Sequence, residues 1–480
     1  MEGFSRRSFL GSAAALAGVG VAVGSGLSEP ASAAEAAAPT AAPTTGGTTP
    51  PVTSGAHIRN VDTINEVFAD GQKVTNVVLE YDAAIDPASL STSTYTVQDR
   101  TVVGVYTNSE AAKTTKNVAG AFVVIELQVQ SPMLDDRYAT DGRPMQPTTL
   151  LDQQGTVVTL TTYNVPIDSA VVTQVKSIKT TAGATYAGSS TAYTTPSSDG
   201  PMGSANKQYL IIDEFEGDHF WTDPTWRTVM HYNLFKPKGY TEGSSKKYPL
   251  VVFAADAGAV GQDWQIPMLQ GNGGTVWASD DWQDEHPCWV VVMDYSDKFI
   301  NDYWEFYGPW MFGTMNLVKH LIKTLPVDDK RVYTTGQSLG GMNSLIMMIH
   351  DPDLFTAAYC VAAKWDPTTV AKIKNSKLLL INAEDDPGTV TMDQDVAVWT
   401  KVGAKITTLE FDGIASPAAQ EALIKPVLAK KKDITYLKIK AGTGKVDLKG
   451  NPEPGDHRYT WRLAYNLPLA KEWLFQQRKA

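Results

Sequence analysis

Tyr333-Thr-Thr-Gly-Gln-Ser-Leu-Gly-Gly-Met342 is the stretch on which the reading of this chain turns. Inside it, Gly336-Gln337-Ser338-Leu339-Gly340 fits the pattern G-x-S-x-G. Residues 331–335 before it read as a short strand. Residues 342–350 after it read as a helix, closed by Asp351-Pro352. Strand, sharp turn and helix are the surroundings that make this pattern a nucleophile elbow. Such a turn strains the serine backbone and lifts its hydroxyl clear of the sheet edge. The flanking glycines lack a Cβ, so helix and strand can approach closely there. The plain alternative is a chance Gly-Ser turn, which the strand and helix on either side disfavour.

A length of 480 residues suits two or three domains. Charged residues at 19% and apolar residues at 43% are typical of soluble globular material. A net charge of −11 argues against a nucleic-acid partner, which needs a basic face. The run Lys430-Lys431-Lys432 reads as a solvated helix end. Two cysteines, Cys288 and Cys360, cannot build a disulfide framework.

The first residues include Ser5-Arg6-Arg7-Ser8-Phe9-Leu10, then an Ala/Gly-rich apolar run over 11–27, then Ala31-Ser32-Ala33. This predicts a twin-arginine signal peptide over 1–33, cleaved after Ala33. The apolar run is too short and too rich in Gly to be a membrane anchor, so no membrane span is expected after cleavage. A twin-arginine leader implies export of the folded protein, to the periplasm or the extracellular space. Residues 34–55 are Ala, Pro, Thr and Gly with one charge, and read as a disordered tether.

Residues 56–198 are β-type. Val123, Ile125, Leu127 and Val129 alternate with Val124, Glu126, Gln128 and Gln130, which is period two. Residues 74–81, 156–163 and 171–179 are further strand candidates, and Asp70-Gly71 is a hairpin turn signal. Strands at this spacing predict an immunoglobulin-like sandwich, without the Cys-Trp-Cys signature of antibody domains. Residues 131–147 carry three Pro and three Asp and read as a long exposed loop. Its carboxylates lack the spacing of an EF-hand calcium site.

Residues 195–207 read as a second linker, and the pattern then changes. Over 205–480, strand-like runs alternate with helical ones. Residues 209–215 and 228–235 look like an opening antiparallel pair. Continuous apolar runs follow at 248–254, 288–293, 331–335, 357–362, 377–381, 406–411 and 435–439. Such runs are strands buried on both faces, hence a mostly parallel sheet. Helices are expected over 312–324, 342–350, 418–428 and 467–477. The whole is an α/β-hydrolase domain preceded by an all-β, Ig-like sandwich.

An activated serine needs a base, and the base an orienting acid. In this fold the chain order is Ser, then Asp or Glu, then His. Of seven histidines only His350 and His457 follow Ser338. His350 lies at the far end of the elbow helix, which leaves His457, after the last strand. The acid is expected after the strand at 377–381, where the loop reads Asn382-Ala383-Glu384-Asp385-Asp386-Pro387. Asp386 is favoured because Pro387 fixes the backbone at the turn. Asp385 is the runner-up and Asp412 a third choice. An oxyanion hole needs two backbone N–H groups. Leu339 is one candidate, and Asp256 and Ala257, in the loop after 248–254, are the others.

These residues resemble the bacterial two-domain esterases with an N-terminal Ig-like domain, relatives of the polyhydroxybutyrate-depolymerase and feruloyl-esterase group. The resemblance runs from about Val61 to Phe475. It rests on Tyr248-Pro-Leu-Val-Val-Phe253, His286-Pro-Cys-Trp-Val290, Val327-Asp-Asp-Lys-Arg-Val-Tyr333, the elbow, Asp351-Pro-Asp-Leu-Phe355, Glu384-Asp-Asp-Pro387, and His457 with Trp461, Ala464-Tyr465 and Trp473-Leu474-Phe475. It implies Ser338 as nucleophile, Asp386 as acid and His457 as base. The family usually has His-Gly where this chain has Ala255-Asp256.

The expected function is a secreted serine carboxylesterase that acts through an acyl-enzyme, without cofactor or metal. Its partner is an ester substrate, free or linked to a polymer. A serine peptidase or polyester depolymerase of the same fold is the alternative, as is a surface-binding module with an inactive hydrolase domain. Trp264, Trp277, Trp304, Trp310 and Trp365 lie where an acyl or aromatic pocket could form, though most such Trp are packed in cores. The Ig-like domain is expected to pack against the hydrolase and narrow its cleft, with 131–147 reaching furthest. The bland alternative is a passive spacer.

Overall fold

The structure is a computed structural model, and it describes residues 57–480 apart from 115–116, 137–144, 152–156, 164–166, 196–206, 297–307 and 456. The leader, the tether, most of the second linker and Trp304 lie outside the described residues.

Nine strands form one sheet, in the order Glu216–Thr222, Val229–Phe235, Trp289–Asp294, Tyr248–Ala254, Val327–Gln337, Ala357–Val361, Leu378–Ala383, Ile434–Ile439 and Ile406–Phe411. The first three pair antiparallel and the rest parallel. Every residue of Tyr248–Ala254, Ala357–Val361 and Leu378–Ala383 is buried, which is why these strands are unbroken apolar runs rather than alternating ones. One core lies on each face of the sheet. Helices Pro309–Thr324, Leu339–His350 and Thr389–Lys401 close the first, around Met315, Leu345 and Trp399. Helices Pro417–Leu428, His457–Ala464 and Pro468–Phe475 close the second, around Trp277, Tyr359 and Trp461. The chain therefore has the α/β-hydrolase architecture.

Some elements differ from expectation. Helix Thr389–Lys401 was not anticipated, because Thr389, Val390, Thr391, Val396, Val398 and Thr400 are poor helix formers. Burial of Met392, Asp395 and Trp399 along one side holds it in place. The partner of Val229–Phe235 is Glu216–Thr222, not 209–215. Lys207–Tyr209 instead pairs in parallel with Ile58–Phe68 of the N-terminal domain. Two strands separate the strand of Cys360 from the one that follows Cys288. That is three spacings, about 14 Å at ~4.8 Å each, and both thiols are free and buried.

The N-terminal domain is a two-sheet sandwich. One sheet runs Lys207–Tyr209, Ile58–Phe68, Gly71–Ile85, Gly120–Leu127, Val102–Asn108, and the other Ala192–Thr194, Val171–Gln174, Tyr95–Val97. Val77, Leu79, Val123 and Ile125 meet Val97 and Val172 in its core. The hydroxyls of Tyr81 and Tyr95 lie 2.9 Å apart between the sheets, and Tyr81 donates to Gln174 Oε1 at 2.8 Å.

This domain docks on the hydrolase. Tyr163, at the end of strand Val157–Tyr163, is buried within the second hydrolase core. Asp135, expected on an exposed loop, is 2% exposed, and its carboxylate meets Lys445 Nζ at 2.6 Å. The exposed-loop expectation fails at Asp135, because its carboxylate finds a cation from the other end of the chain; Ser131 and Asp136 are exposed, and residues 137–144 of that loop lie outside the described residues.

The elbow depends on backbone contact. A Cβ on Gly340 would lie 1.9 Å from the Ala254 carbonyl oxygen, and one on Gly336 2.4 Å from Gly340 C. Gly340→Ala is expected to cost about 3 kcal/mol, since backbone on both sides must move. Urea denaturation of the two proteins checks this, and an unchanged midpoint would contradict the close contact.

Candidate active site

Ser338 is the single residue between the strand Val327–Gln337 and the helix Leu339–His350. The helix thus starts earlier than the expected 342, so the turn has no slack. Ser338 takes φ 52° and ψ −118°, outside the ordinary regions for a non-glycine residue. Its N–H donates to the Val361 carbonyl at 2.9 Å, which pins the strained peptide to the next strand. The side chain lies at the carboxyl edge of the sheet, where ligands bind in such folds.

His457 is the first residue of its helix. Its Nε2 is 2.8 Å from Ser338 Oγ and its Nδ1 is 2.5 Å from Asp386 Oδ2. A carboxylate only accepts, so Nδ1 carries the proton and Nε2 accepts from the serine hydroxyl. Trp461, one helical turn on, stands edge-to-face to the imidazole at 5.2 Å. Asp386 is 4% exposed, and its other oxygen accepts from Gly388 N–H at 2.8 Å. Three residues expected to contact one another are therefore in hydrogen-bond contact, though they are spread over 119 positions.

The competing groups face elsewhere. Asp385 accepts from Gly442 N–H and Glu384 from Ala441 N–H, so both tie down the neighbouring turn. Asp412 accepts from Ile414 N–H two residues on. His350, on the last turn of the elbow helix, packs edge-on to Phe312.

On the other side of Ser338, Asp256 caps the short turn Ala257–Ala259. Its carboxylate faces inward, accepting from Gly258 N–H at 2.9 Å and from Gln337 Nε2 at 3.0 Å. Gln337 also donates to Gln270 Oε1 at 3.1 Å. Gly258 N–H is thereby used. The N–H groups of Asp256, Ala257 and Leu339 take no hydrogen bond among the described residues. The loop is backed by the other domain, because a Cβ on Gly258 would lie 2.8 Å from the Tyr163 ring. Gln337, Gln270 and Tyr163 were not singled out from the sequence. Gln337 is the unspecified second position of the elbow motif, and Tyr163 belongs to a different domain.

Behind Asp386 sit two further ionisable groups. Burial pulls the Lys364 ammonium down, while the charges of Asp386 and Asp395 oppose that shift. Burial pushes the Asp395 carboxyl up to about 8, against the hydrogen bond from Trp365 N–H. Of the tryptophans, Trp277 and Trp365 are core residues, and Trp264 covers Gly217. Among the described residues Glu285, His286 and Glu472 are near enough together to hold a metal ion. Glu285 and His286 precede the strand Trp289–Asp294 at the opposite edge of the sheet, and Glu472, on helix Pro468–Phe475, comes within 2.9 Å of His286 Nε2. Among the described residues no helix is long and apolar enough to cross a membrane.

Residues 60–187 match the family described as the esterase Ig-like N-terminal domain, and residues 293–394 match the prolyl oligopeptidase family. The crystal structure of a thermostable esterase aligns with 88% of this chain and 100% of its own, at 24% identity and a TM-score of 0.65. That alignment shows a shared two-domain fold. A mutant of the feruloyl esterase module from Clostridium thermocellum, complexed with sinapinate, aligns with 54% of this chain and 87% of its own, at 12% identity and a TM-score of 0.35. S-formylglutathione hydrolase from Staphylococcus aureus aligns with 54% and 98%, at 11% identity and a TM-score of 0.35. No curated protein sequence matches the chain.

Two outcomes follow from the geometry. Asp386→Asn is expected to slow labelling of Ser338 by a fluorophosphonate about 10⁴-fold, as loss of an orienting acid does. Asp385→Asn should stay within about tenfold, because it leaves the imidazole untouched; the reverse ranking would move the acid by one position. Asp395 binds a proton in the folded state that the unfolded chain releases near pH 4. Its contribution to stability is therefore full below about pH 4 and lost as pH rises through about 8. Asp395→Asn should flatten the fall in stability across that window, measured as urea midpoints at pH 5 and pH 8.

Proposed function

We propose that this chain, an α/β hydrolase with an esterase-type Ig-like domain ahead of it, is an exported serine carboxylesterase. The hydrogen-bonded run Ser338–His457–Asp386, with the serine held at φ 52°, is the observation that carries the reading. Ser338 Oγ attacks the ester carbonyl carbon as His457 Nε2 takes its proton. Asp386 holds the imidazole in the productive tautomer and stabilises its cation. The negative oxygen of the tetrahedral intermediate is met by N–H groups of Leu339 and of Asp256 or Ala257. His457 then protonates the leaving alcohol and the acyl-enzyme forms. Water, deprotonated by His457, attacks the acyl carbon and releases the acid and the free serine.

The aspartate in the oxyanion loop is compatible with this chemistry. Its carboxylate is occupied by the Gln337 amide and Gly258 N–H, so its charge is held by donors rather than aimed at the developing oxyanion. The twin-arginine pattern of residues 5–10, ahead of an apolar run, supports export. The esterase name of the N-terminal domain's family and the aligned thermostable esterase speak for ester substrates. The match of 293–394 to the prolyl oligopeptidase family favours a second reading, a serine peptidase.

The test is a panel of nitrophenyl esters from acetate to octanoate, a feruloyl ester and prolyl-peptide nitroanilides. Ester hydrolysis is expected, with a loss on the order of 10⁵-fold or more in Ser338→Ala and in His457→Ala, both still folded. Turnover of the anilides alone would make the chain a peptidase. Silence towards every substrate and towards a fluorophosphonate would leave a binding module.

A further inference from the structure

Resting on that reading, we propose that the Ig-like domain supplies part of the catalytic apparatus, and that Asp136 is a positioning residue for His457. The base has little support of its own. Its helix, His457–Ala464, is eight residues long, too short to persist without tertiary contacts. Before it comes only a minimal hairpin, Lys445–Val446 with Pro452–Glu453.

One short stretch of the N-terminal domain grips both arms. On the hairpin side, Leu134 bridges in parallel to Val446. Asp135 N–H donates to Val446 O at 2.9 Å, and Val446 N–H to Met133 O at 2.9 Å. Asp135 pairs with Lys445 at 2.6 Å. On the helix side, Asp136 accepts from Arg462 Nη2 at 2.8 and 3.1 Å, and from Arg458 Nη2 at 2.9 Å. Asp136 N–H donates to Tyr459 Oη at 2.9 Å, and Pro132 O accepts from Arg462 Nη1 at 3.2 Å.

The positions gripped are one, two and five residues past His457. Arg462 is wholly buried and its guanidinium stacks 4.1 Å from the Tyr459 ring. Its charge is met by the Asp136 carboxylate, 38% exposed at the rim of the contact, and by the Pro132 carbonyl, both from the other domain, so docking of that domain supports the helix in its seat. Contacts that served cohesion alone would have no reason to converge on the two segments that bracket the base. The 2.8 Å approach of His457 to Ser338 must be held closely, because misplacement of a catalytic group by about 1 Å costs about 10²-fold in rate.

The experiment uses the full chain. Asp136→Asn keeps the shape and removes the charge; Asp136→Glu keeps the charge. A nitrophenyl ester that the parent protein turns over gives kcat and KM, and urea denaturation gives the folded fraction. Asp136→Asn is expected to lower kcat about 10–100-fold with KM within about twofold, at full folding, and Asp136→Glu to recover part of it. Should Asp136→Asn fail to fold, Tyr459→Phe, which deletes only the hydroxyl that receives Asp136 N–H, must lower kcat in the same way. Asp168→Asn is the control, because it loosens a different contact: Asp168 meets Lys207 and Tyr209 on the strand that joins the sandwich to the hydrolase, and Tyr209 is packed in the second hydrolase core. A parental kcat in both Asp136→Asn and Tyr459→Phe would overturn the proposal. So would an equal loss in Asp168→Asn, which would make the contacts ordinary docking. Failure of the esterase reading itself is separate, and shows as undiminished hydrolysis by Ser338→Ala.

Discussion

A missing methyl group governs the geometry of this molecule. The carbonyl of Ala254 occupies the space that a Cβ on Gly340 would need, at 1.9 Å. The elbow helix can therefore cross directly over the end of strand Tyr248–Ala254. With the helix that close, the turn from Gln337 to Leu339 has no room to relax, and Ser338 is driven to positive φ. Its hydroxyl then stands at the carboxyl edge of the sheet. The loop bearing Asp386 and the segment bearing His457 arrive at that same edge because parallel strands all end there. A close packing contact thus decides where the chemistry can happen.

A second constraint is electrostatic. A buried carboxylate is costly unless donors meet its charge. Beside Ser338, Asp256 is turned inward and held by Gln337 and Gly258, while Gln337 also reaches Gln270. Three polar side chains and a backbone N–H form one buried group beneath Ser338. The same device recurs at Asp386, where Gly388 N–H fixes the oxygen that does not face His457. In both places a backbone donor two residues on sets the direction of a carboxylate.

The parallel sheet was legible because strands buried on both faces must be continuously apolar, as Leu378–Ala383 is. Ser338 was legible through its glycines, whose necessity is steric. His457 was legible through chain order and scarcity. The choice between Asp385 and Asp386 was less so. It depends on a turn in which Asp386 N–H bonds to Ala383 O, sending one carboxylate to the imidazole and the other to Gly442. That direction is tertiary information. Helix Thr389–Lys401 was missed because packing overrides its β-branched composition. The role of Asp135 and Asp136 was invisible for a different reason. A Pro- and Asp-rich run reads as solvated loop unless its cations are known, and these lie more than three hundred residues away.

That separation has a consequence for how the chain is made. Strand Ile58–Phe68 must wait for Lys207–Tyr209 before its sheet has its edge. Asp136 must wait for Arg462, 326 residues later. At a synthesis rate of about 5–20 residues per second, that second wait lasts on the order of 15–65 s. The sandwich can form its own core early, yet Asp135 and Asp136 meet Lys445, Arg458 and Arg462 only once residues 445–462 have been made. Docking of the two units therefore waits for residues 445–462. The segment that brings the cations of the seam also carries His457 to Ser338.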